Sequence, residues 1–151
     1  MDLPDMLLDV EPQVLDEAHA TLQRSHAQHY EAAGDTFTRE RLADLYGLVV
    51  SAMRDRDLAE MGAYCEQIAE QRFNAGYDVS EVQAAFNALE TAMWRQVVST
   101  VPADDLAEAV GLLSTVLGFG KDALARKYVS LASKRHVPSL DLSALFRGTN
   151  S

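Results

Sequence analysis

The sequence has one cysteine among 151 residues and no uninterrupted apolar run near the ~20 residues that span a bilayer. A single cysteine excludes an internal disulfide, and the first residues show no secretory signal. We therefore expect a cytoplasmic protein that makes no membrane contact. Basic residues are also scarce, with 13 Lys and Arg against 23 Asp and Glu and a net charge of −10. This charge repels a phosphate backbone, so we expect no nucleic acid partner.

Strand-like alternation is missing as well, and apolar residues recur at the helical period along almost the whole chain. A chain of this length is expected to form one domain. The periodicity predicts an all-α bundle of about five main helices. These helices are a first segment over 4–33 interrupted at Pro12, a second from Thr36 or Thr38 to the turn at 55–57, a third up to Gly76, a fourth from Ser80 to Val101, and a fifth from about Ala103 to Arg135. We expect the helical domain to span residues 1–137 and a short tail to span 138–151.

Polar residues at two predicted helix starts have the spacing of capping boxes. Asp57 precedes Glu60 by three residues, and Ser80 precedes Gln83 by the same interval. In such a box the side chain of each of the two residues accepts a hydrogen bond from the backbone N–H of the other. Gly76 is placed as a left-handed residue that ends the third helix. These signals predict helix starts at Asp57 and Ser80 and a helix end at Gly76.

The predicted fifth helix exceeds the usual length of about 8–20 residues in globular proteins. Its main apolar stripe is widened by further apolar residues, among them Val116 and Phe119. A wide apolar arc is typical of a buried central helix or of a seam between two subunits. We therefore expect this helix either to kink at Gly118 or Gly120 or to pack partly against another chain.

Three histidines, His19, His26 and His29, fall close together on one predicted helix face. A structural metal site needs four protein ligands, and no further cluster of ligand residues completes the set. A haem globin needs a histidine on a mid-chain helix, and residues 41–135 contain none. We therefore expect no cofactor and no metal. The alternative is a ligand-, metal- or chromophore-binding sensor, such as a haem or gas sensor, that uses His26 and His29.

No motif for catalysis stands out. Cys65 shares an apolar helix stripe with Met61 and Ile68, and a buried cysteine in such a setting is inert and has a raised pKa. Gly118 and Gly120 lie in a helical pattern with no preceding strand, so they form no phosphate-binding loop. Serine, histidine and aspartate residues occur in no nucleophile context. We expect a protein that is not an enzyme.

Two groups of apolar residues are candidates for contact with another protein. Trp94 lies off the main stripe of the fourth helix, in line with Val98, and such an aromatic is typical either of an interface anchor or of a broad core. The tail carries Leu142 and Phe146 among polar residues, which fits either docking into a partner groove or packing back on the domain. The predicted interaction residues are Trp94, Val98, Val116, Phe119, Leu142 and Phe146.

The third and fourth helices contain a recognisable pattern. Its pieces are Leu58-Ala59, Arg72-Phe-Asn-Ala-Gly76-Tyr77, Ser80-Glu81-Val82, Ala85, Leu89 and Ala92-Met-Trp94. The pattern resembles the helical N-terminal domain of bacterial stress-signalling regulators, the RsbRD type found in stressosome co-antagonist proteins. The resemblance covers about Leu42 to Ser133. Its most distinctive part is the Arg-x-x-x-Gly step before an acidic helix start.

The resemblance implies a globin-like helical bundle without haem that associates into homodimers. It also implies a sensory or regulatory role through contacts with other signalling proteins, with no catalytic residues to carry over. In such proteins the last helix leads into an output domain and transmits changes in packing, and here that helix is Ala103 to Arg135. Only a short tail follows this helix, so we expect either an excised domain or a stand-alone module.

Overall fold

The computed structural model describes residues 2–25, 32–76 and 78–136. Within these ranges the chain forms α-helices joined by short connections, and no strand occurs. The helices are α1 (Leu3–Asp9), α2 (Glu11–Ser25), α3 (Asp35–Asp55), α4 (Ala59–Asn74), α5 (Val79–Thr100) and α6 (Ala103–His136). The predicted all-α bundle is confirmed, with six helices in these ranges where about five were expected.

The additional helix arises near the N-terminus, where the first predicted segment is divided. α1 begins after Asp2, whose carboxylate accepts a hydrogen bond from the Asp5 N–H at 3.1 Å. The chain leaves the helix at Val10, and α2 begins at Glu11. Pro12 therefore lies in the first turn of α2, as predicted, because a residue there needs no N–H for the helix.

Aspartate side chains cap the two helices in the middle of the chain. The Asp57 carboxylate accepts a hydrogen bond from the Ala59 N–H at 2.9 Å, so Asp57 caps the start of α4. The predicted helix start at Ser80 is wrong, since Asp78 accepts a hydrogen bond from the Ser80 N–H at 2.9 Å and α5 begins at Val79. Aspartate is as strong a cap as serine and comes two residues earlier, so it takes that position.

The end of α4 follows the prediction made for Gly76. This residue has a φ of 83°, in the left-handed region that favours glycine. Its N–H donates to the Phe73 carbonyl at 3.0 Å, and the Ala75 N–H donates to the Gln71 carbonyl at 3.1 Å. These bonds satisfy carbonyl groups that the end of the helix would otherwise leave unpaired.

α6 is the central helix of the bundle. It packs most extensively against α4 and also contacts α5 and α3, while α2 packs mainly against α5. The middle of its predicted stripe is inaccessible to solvent, with Leu113, Leu117 and Leu124 fully buried. α6 continues as one helix through Gly118 and Gly120. Beyond Leu124 no described side chain of α6 is fully enclosed, so the last turns form a partly covered extension.

Two glycines allow α6 to approach its neighbours closely. A Cβ atom on Gly120 would lie 2.8 Å from Phe86 Cε1 of α5 and 3.1 Å from Met61 Sδ of α4. A Cβ atom on Gly62 of α4 would lie 3.2 Å from Phe119 Cε1 of α6. Phe86 and Met61 are buried in the core, so a larger residue at position 120 would have to displace one of these side chains. The close packing of α4 and α5 on α6 therefore favours a glycine at position 120.

A buried hydrogen bond attaches α1 to the bundle. The Tyr46 side chain of α3 is inaccessible to solvent, and its hydroxyl donates to the Leu7 carbonyl of α1. Burial raises the pKa of Tyr46 above its usual range, so the hydroxyl keeps its proton and stays a donor. Leu7 is itself fully buried, so the bond and the packing together hold α1 against α3.

Replacing Gly120 with alanine is expected to lower the free energy of unfolding by about 1–3 kcal/mol, because the added methyl group overpacks the contact with Phe86 and Met61. Urea unfolding followed by circular dichroism measures this change. The matched control is Gly47→Ala in α3, where an added Cβ meets no atom within 4 Å. That control is expected to stabilise the protein by up to about 1 kcal/mol through helix propensity. Equal stability of the two variants would contradict the close contact at Gly120.

Replacing Tyr46 with phenylalanine is expected to lower the free energy of unfolding by about 1–2 kcal/mol, because the Leu7 carbonyl loses a buried donor while the ring packing is kept. Chemical denaturation measures the loss. Amide hydrogen exchange adds a local readout, since the amides of α1 are expected to exchange faster than those of α5 in the variant. Unchanged stability together with unchanged exchange in α1 would show that packing alone holds this helix.

Candidate functional site

The outer face of α5 presents two apolar side chains to the surface. Trp94 is half-buried, and Val98, one helical turn further along, is 55 % exposed. The structure places these two predicted interaction residues next to each other on one side of α5.

A polar bridge joins α5 to α6 beside these residues. Lys121 Nζ of α6 lies 3.3 Å from both carboxylate oxygens of Glu90 and 3.5 Å from Asn87 Oδ1. The Lys121 and Glu90 side chains are partly buried, so solvent screens their attraction less than it would screen a fully exposed pair. Glu90 precedes Trp94 by one helical turn, so the bridge lies on the same side of α5 as Trp94.

A band of small residues runs along the outer side of α6, next to the face that meets α5. At 100° per residue, its members lie within about 60° of one another around the helix axis. We call it the small-residue strip, and its members are Ala107, Gly111, Ser114, Gly118, Ala125 and Ala132. The first four are exposed, and the last two are half-buried. Four of the six repeat at intervals of seven residues, beginning at Gly111, and this interval keeps positions on one side of a helix over several turns.

Packing among the described residues does not require the two glycines of the strip. A Cβ atom added at Gly111 or Gly118 would meet no atom within 4 Å, in contrast to one at Gly120. A glycine in the middle of a helix costs about 1 kcal/mol relative to alanine. The two glycines therefore lower the stability of α6, and no packing among the described residues compensates for this loss.

Two further predicted interaction residues, Val116 and Phe119, belong to α6 and lie away from Trp94. Val116 is 2 % exposed, so its side chain belongs to the core and not to an accessible surface. Phe119 is 39 % exposed, but its ring lies over Gly62 of α4. Positions 119 and 121 are about 200° apart around the helix, so Phe119 and Lys121 point to opposite sides. The structure does not bring Val116 or Phe119 together with Trp94.

The remaining predicted residues fall outside the described ranges, namely His26, His29, Leu142 and Phe146. Their roles stay predictions. His19 is described, and its Nε2 lies 3.5 Å from Asp35 Oδ1, which links α2 to the start of α3. Within residues 2–25, 32–76 and 78–136, no three His, Cys, Asp or Glu side chains are grouped to hold a metal ion. No helix in these ranges has the length and hydropathy to cross a membrane.

A small cavity lies between α3, α4, α5 and α6. Its volume is about 20 Å³, enough for one water-sized group. Cys65 lines the cavity together with two cations. One is Arg41, which the sequence patterns did not single out, and the other is Arg72, the first residue of the Arg-x-x-x-Gly step. Arg72 continues the apolar stripe of Cys65 and Ile68 at the helical interval. A charged residue on an apolar stripe is the sequence signal that indicates a buried arginine here.

A wider groove of about 630 Å³ opens at the end of the bundle where α6 begins. Its floor includes the buried side chains of Met6 and Met53. Its rim carries charges of both signs, and Arg56 Nη2 lies 3.9 Å from Glu108 Oε1 across it. With opposite charges already facing each other within the chain, the groove favours neither an anionic nor a cationic ligand.

The geometry defines an all-α bundle whose candidate site is a helical surface. A family model described as RsbT co-antagonist protein rsbRD N-terminal domain matches residues 11–133. The chain belongs to this family of regulatory domains in stress signalling, so the resemblance inferred from the third and fourth predicted helices is confirmed. Comparison with curated proteins and with solved structures found no match.

Cys65 is expected to resist alkylation in the folded protein. The side chain is 1 % exposed, and burial raises the pKa of its thiol to about 12, so almost no thiolate is present at pH 8. Mass spectrometry after treatment with iodoacetamide is expected to show a modified Cys65 only when urea unfolds the protein. Labelling of the native protein at the rate of the unfolded chain would contradict the burial of this thiol.

Proposed function

We propose that this protein is a regulatory module of stress signalling that pairs with a second copy of itself through the outer face of α5 and α6. The observation behind this proposal is the small-residue strip, whose glycines Gly111 and Gly118 no packing among the described residues requires. We further propose that the module acts in the cytoplasm by contact with other signalling proteins and not by catalysis. Membership of a signalling family supports this second part.

Small side chains favour the close approach of two helices. Packed helices lie about 8–10 Å apart, and the side chains at the contact decide the distance. A helix laid along the strip would meet backbone and methyl groups from Ala107 to Ala125, and further along the same arc it would meet the exposed side chain of Val129. The repeat of seven keeps these contact positions aligned over several turns. Each close contact adds a small dispersion energy, and the sum over several turns stabilises the pair.

Trp94 and Val98 would supply apolar area beside the strip. Tryptophan is enriched among the residues that dominate binding energy at interfaces. Charged pairs occur on the same two helices, since Arg95 of α5 pairs with Glu17 of α2 and Arg126 of α6 pairs with Asp122. An apolar centre inside a polar rim is the usual arrangement of a protein–protein interface.

A second copy is the partner that this surface fits best. In a two-fold symmetric pair the same patch on each subunit meets its own equivalent. A strip of small residues can do this without a steric conflict, because a small residue on one copy meets a small residue on the other. The homodimer implied by the family resemblance agrees with this arrangement.

Replacing Gly118 with leucine tests the proposal without a threat to the fold. A Cβ atom added there meets no other atom within 4 Å, so the variant is expected to keep the helical circular dichroism spectrum of the wild type. In the dimer the leucine would separate the two helices, and the dimer dissociation constant is expected to rise roughly tenfold or more, since overpacking costs about 1–3 kcal/mol. Sedimentation velocity over a range of protein concentrations measures this constant.

Gly47→Leu in α3 is the matched control, because position 47 is equally open and lies on a different helix. It is expected to leave the dissociation constant unchanged. A wild-type protein that stays monomeric up to millimolar concentration would overturn self-association. A Gly118→Leu variant that dimerises as tightly as the wild type would show that the interface does not include the strip.

A further inference from the structure

The groove at the start of α6 is lined by apolar side chains from parts of the chain that lie far apart in sequence. α1 contributes Leu3 and Met6, the end of α3 contributes Met53, and α6 contributes Ala109 and Leu112. Met6, Met53 and Ala109 are buried, and Leu3 and Leu112 are half-buried. A ligand in the groove would therefore meet apolar side chains of α1, α3 and α6 together.

Two contacts with α3 hold α1 in the position that forms the groove. The Tyr46 hydroxyl donates to the Leu7 carbonyl, and Arg54 Nη2 lies 3.2 Å from Asp5 Oδ1. The volume of about 630 Å³ lies within the ~300–1,000 Å³ that is typical of small-molecule sites. The groove therefore has a suitable size and is formed by contacts of the chain itself.

Four charged side chains of the rim already have partners within the chain. Arg54 pairs with Asp5, and Arg56 Nη2 lies 3.9 Å from Glu108 Oε1. The Asp2 carboxylate accepts the hydrogen bond from the Asp5 N–H that caps α1. A charged ligand would have to compete with these pairs, whereas an uncharged ligand leaves them intact.

One further carboxylate at the rim, that of Asp105, lies in the first turn of α6. The residue is exposed, so water and salt screen its charge. A negative charge in the first turn of a helix is also stabilised by the helix dipole. Asp105 therefore needs no cation from a ligand, and the rim as a whole favours an uncharged one.

We propose that this groove is a binding site for an uncharged, mainly apolar small molecule. Methionine side chains are flexible and polarisable, so Met6 and Met53 can adapt to the shape of the ligand. Leu112 lies about 120° around α6 from Gly118 of the strip, so the site does not depend on the self-association proposed above. α1, which forms one wall, precedes residues 11–133 that the family model matches.

Binding of N-phenyl-1-naphthylamine tests this site, because the fluorescence of this uncharged dye rises in apolar surroundings. The wild-type protein is expected to bind the dye in a saturable way at one site per chain, and 1-octanol is expected to displace it. Octanoate and octylammonium have the same hydrocarbon chain with a charge. They are expected to displace the dye less well at equal concentration, because a charged group loses hydration near the groove and finds no unpaired partner.

Leu112→Glu is expected to weaken dye binding roughly tenfold or more, because it places an unpaired charge in the apolar lining. Leu106→Glu is the matched control, since Leu106 is a half-buried leucine of the same helix that does not line the groove. The control is expected to bind the dye as the wild type does. Circular dichroism checks that both variants are folded.

Thr100→Trp is a second groove variant, which decides the test if Leu112→Glu does not fold. Thr100 is exposed and lines the groove, so a larger side chain there occupies ligand space without a change in the core, and dye binding is expected to weaken. Gly118→Leu is expected to bind the dye as the wild type does, so a failure of the proposed dimer leaves this site intact.

Amide hydrogen exchange locates the bound ligand. A ligand that binds only the folded groove stabilises the packing of α1, so 1-octanol is expected to slow exchange in α1 more than in α4. The proposal is overturned by any of three results. These are no saturable binding of the dye, equal dye affinity in the wild type and the folded groove variants, or better displacement by octanoate or octylammonium than by 1-octanol.

Discussion

The bundle depends on one close contact, in which Gly120 of α6 lies against Phe86 of α5 and Met61 of α4. These two side chains occupy the space that any larger residue at position 120 would need. The contact brings α4 and α5 onto the same segment of α6, and the apolar side chains of these helices then form one continuous core. The outer helices are added to this centre, α2 against α5 and α1 through the buried bond between Tyr46 and Leu7.

The contact at Gly120 lies on the inner side of α6, which faces the core, and the small-residue strip lies on its outer side. Gly120 faces inward against Phe86 and Met61, whereas a Cβ atom added at Gly111 or Gly118 would meet no atom within 4 Å. The glycines of α6 thus take part in two kinds of packing. Gly120 packs within the chain, and we propose that Gly111 and Gly118 pack between chains. Because the inner side packs within the chain itself, folding and the association that we propose would depend on different residues. A regulatory module needs this separation, since its contacts with partners have to change while its own core stays intact.

Structural features that depend on a residue's own backbone conformation, or on the spacing of apolar residues, can be predicted from the sequence. The helical period predicts the all-α class, and Pro12 and Gly76 mark a helix start and a helix end because their conformational restrictions act locally. Other features depend on competition between neighbours or on tertiary contacts. Asp78 takes the capping position from Ser80, and Val116 belongs to the core although the wide apolar arc made it a candidate for the surface. Periodicity defines an arc around a helix, but only the neighbouring helices decide which part of the arc remains open.

The central claim is that the outer face of α6 lies against its own equivalent in a second copy. Double electron–electron resonance measures distances between spin labels on two copies directly. With Cys65 replaced by alanine and a nitroxide attached at position 115 through Thr115→Cys, beside the strip, paired helices about 10 Å apart predict one inter-copy distance below ~30 Å. A label attached at position 67 through Gln67→Cys, on the exposed side of α4, is predicted to give a longer distance. The absence of dipolar coupling from the label at position 115, or a shorter distance from position 67 than from position 115, would contradict self-association through this face.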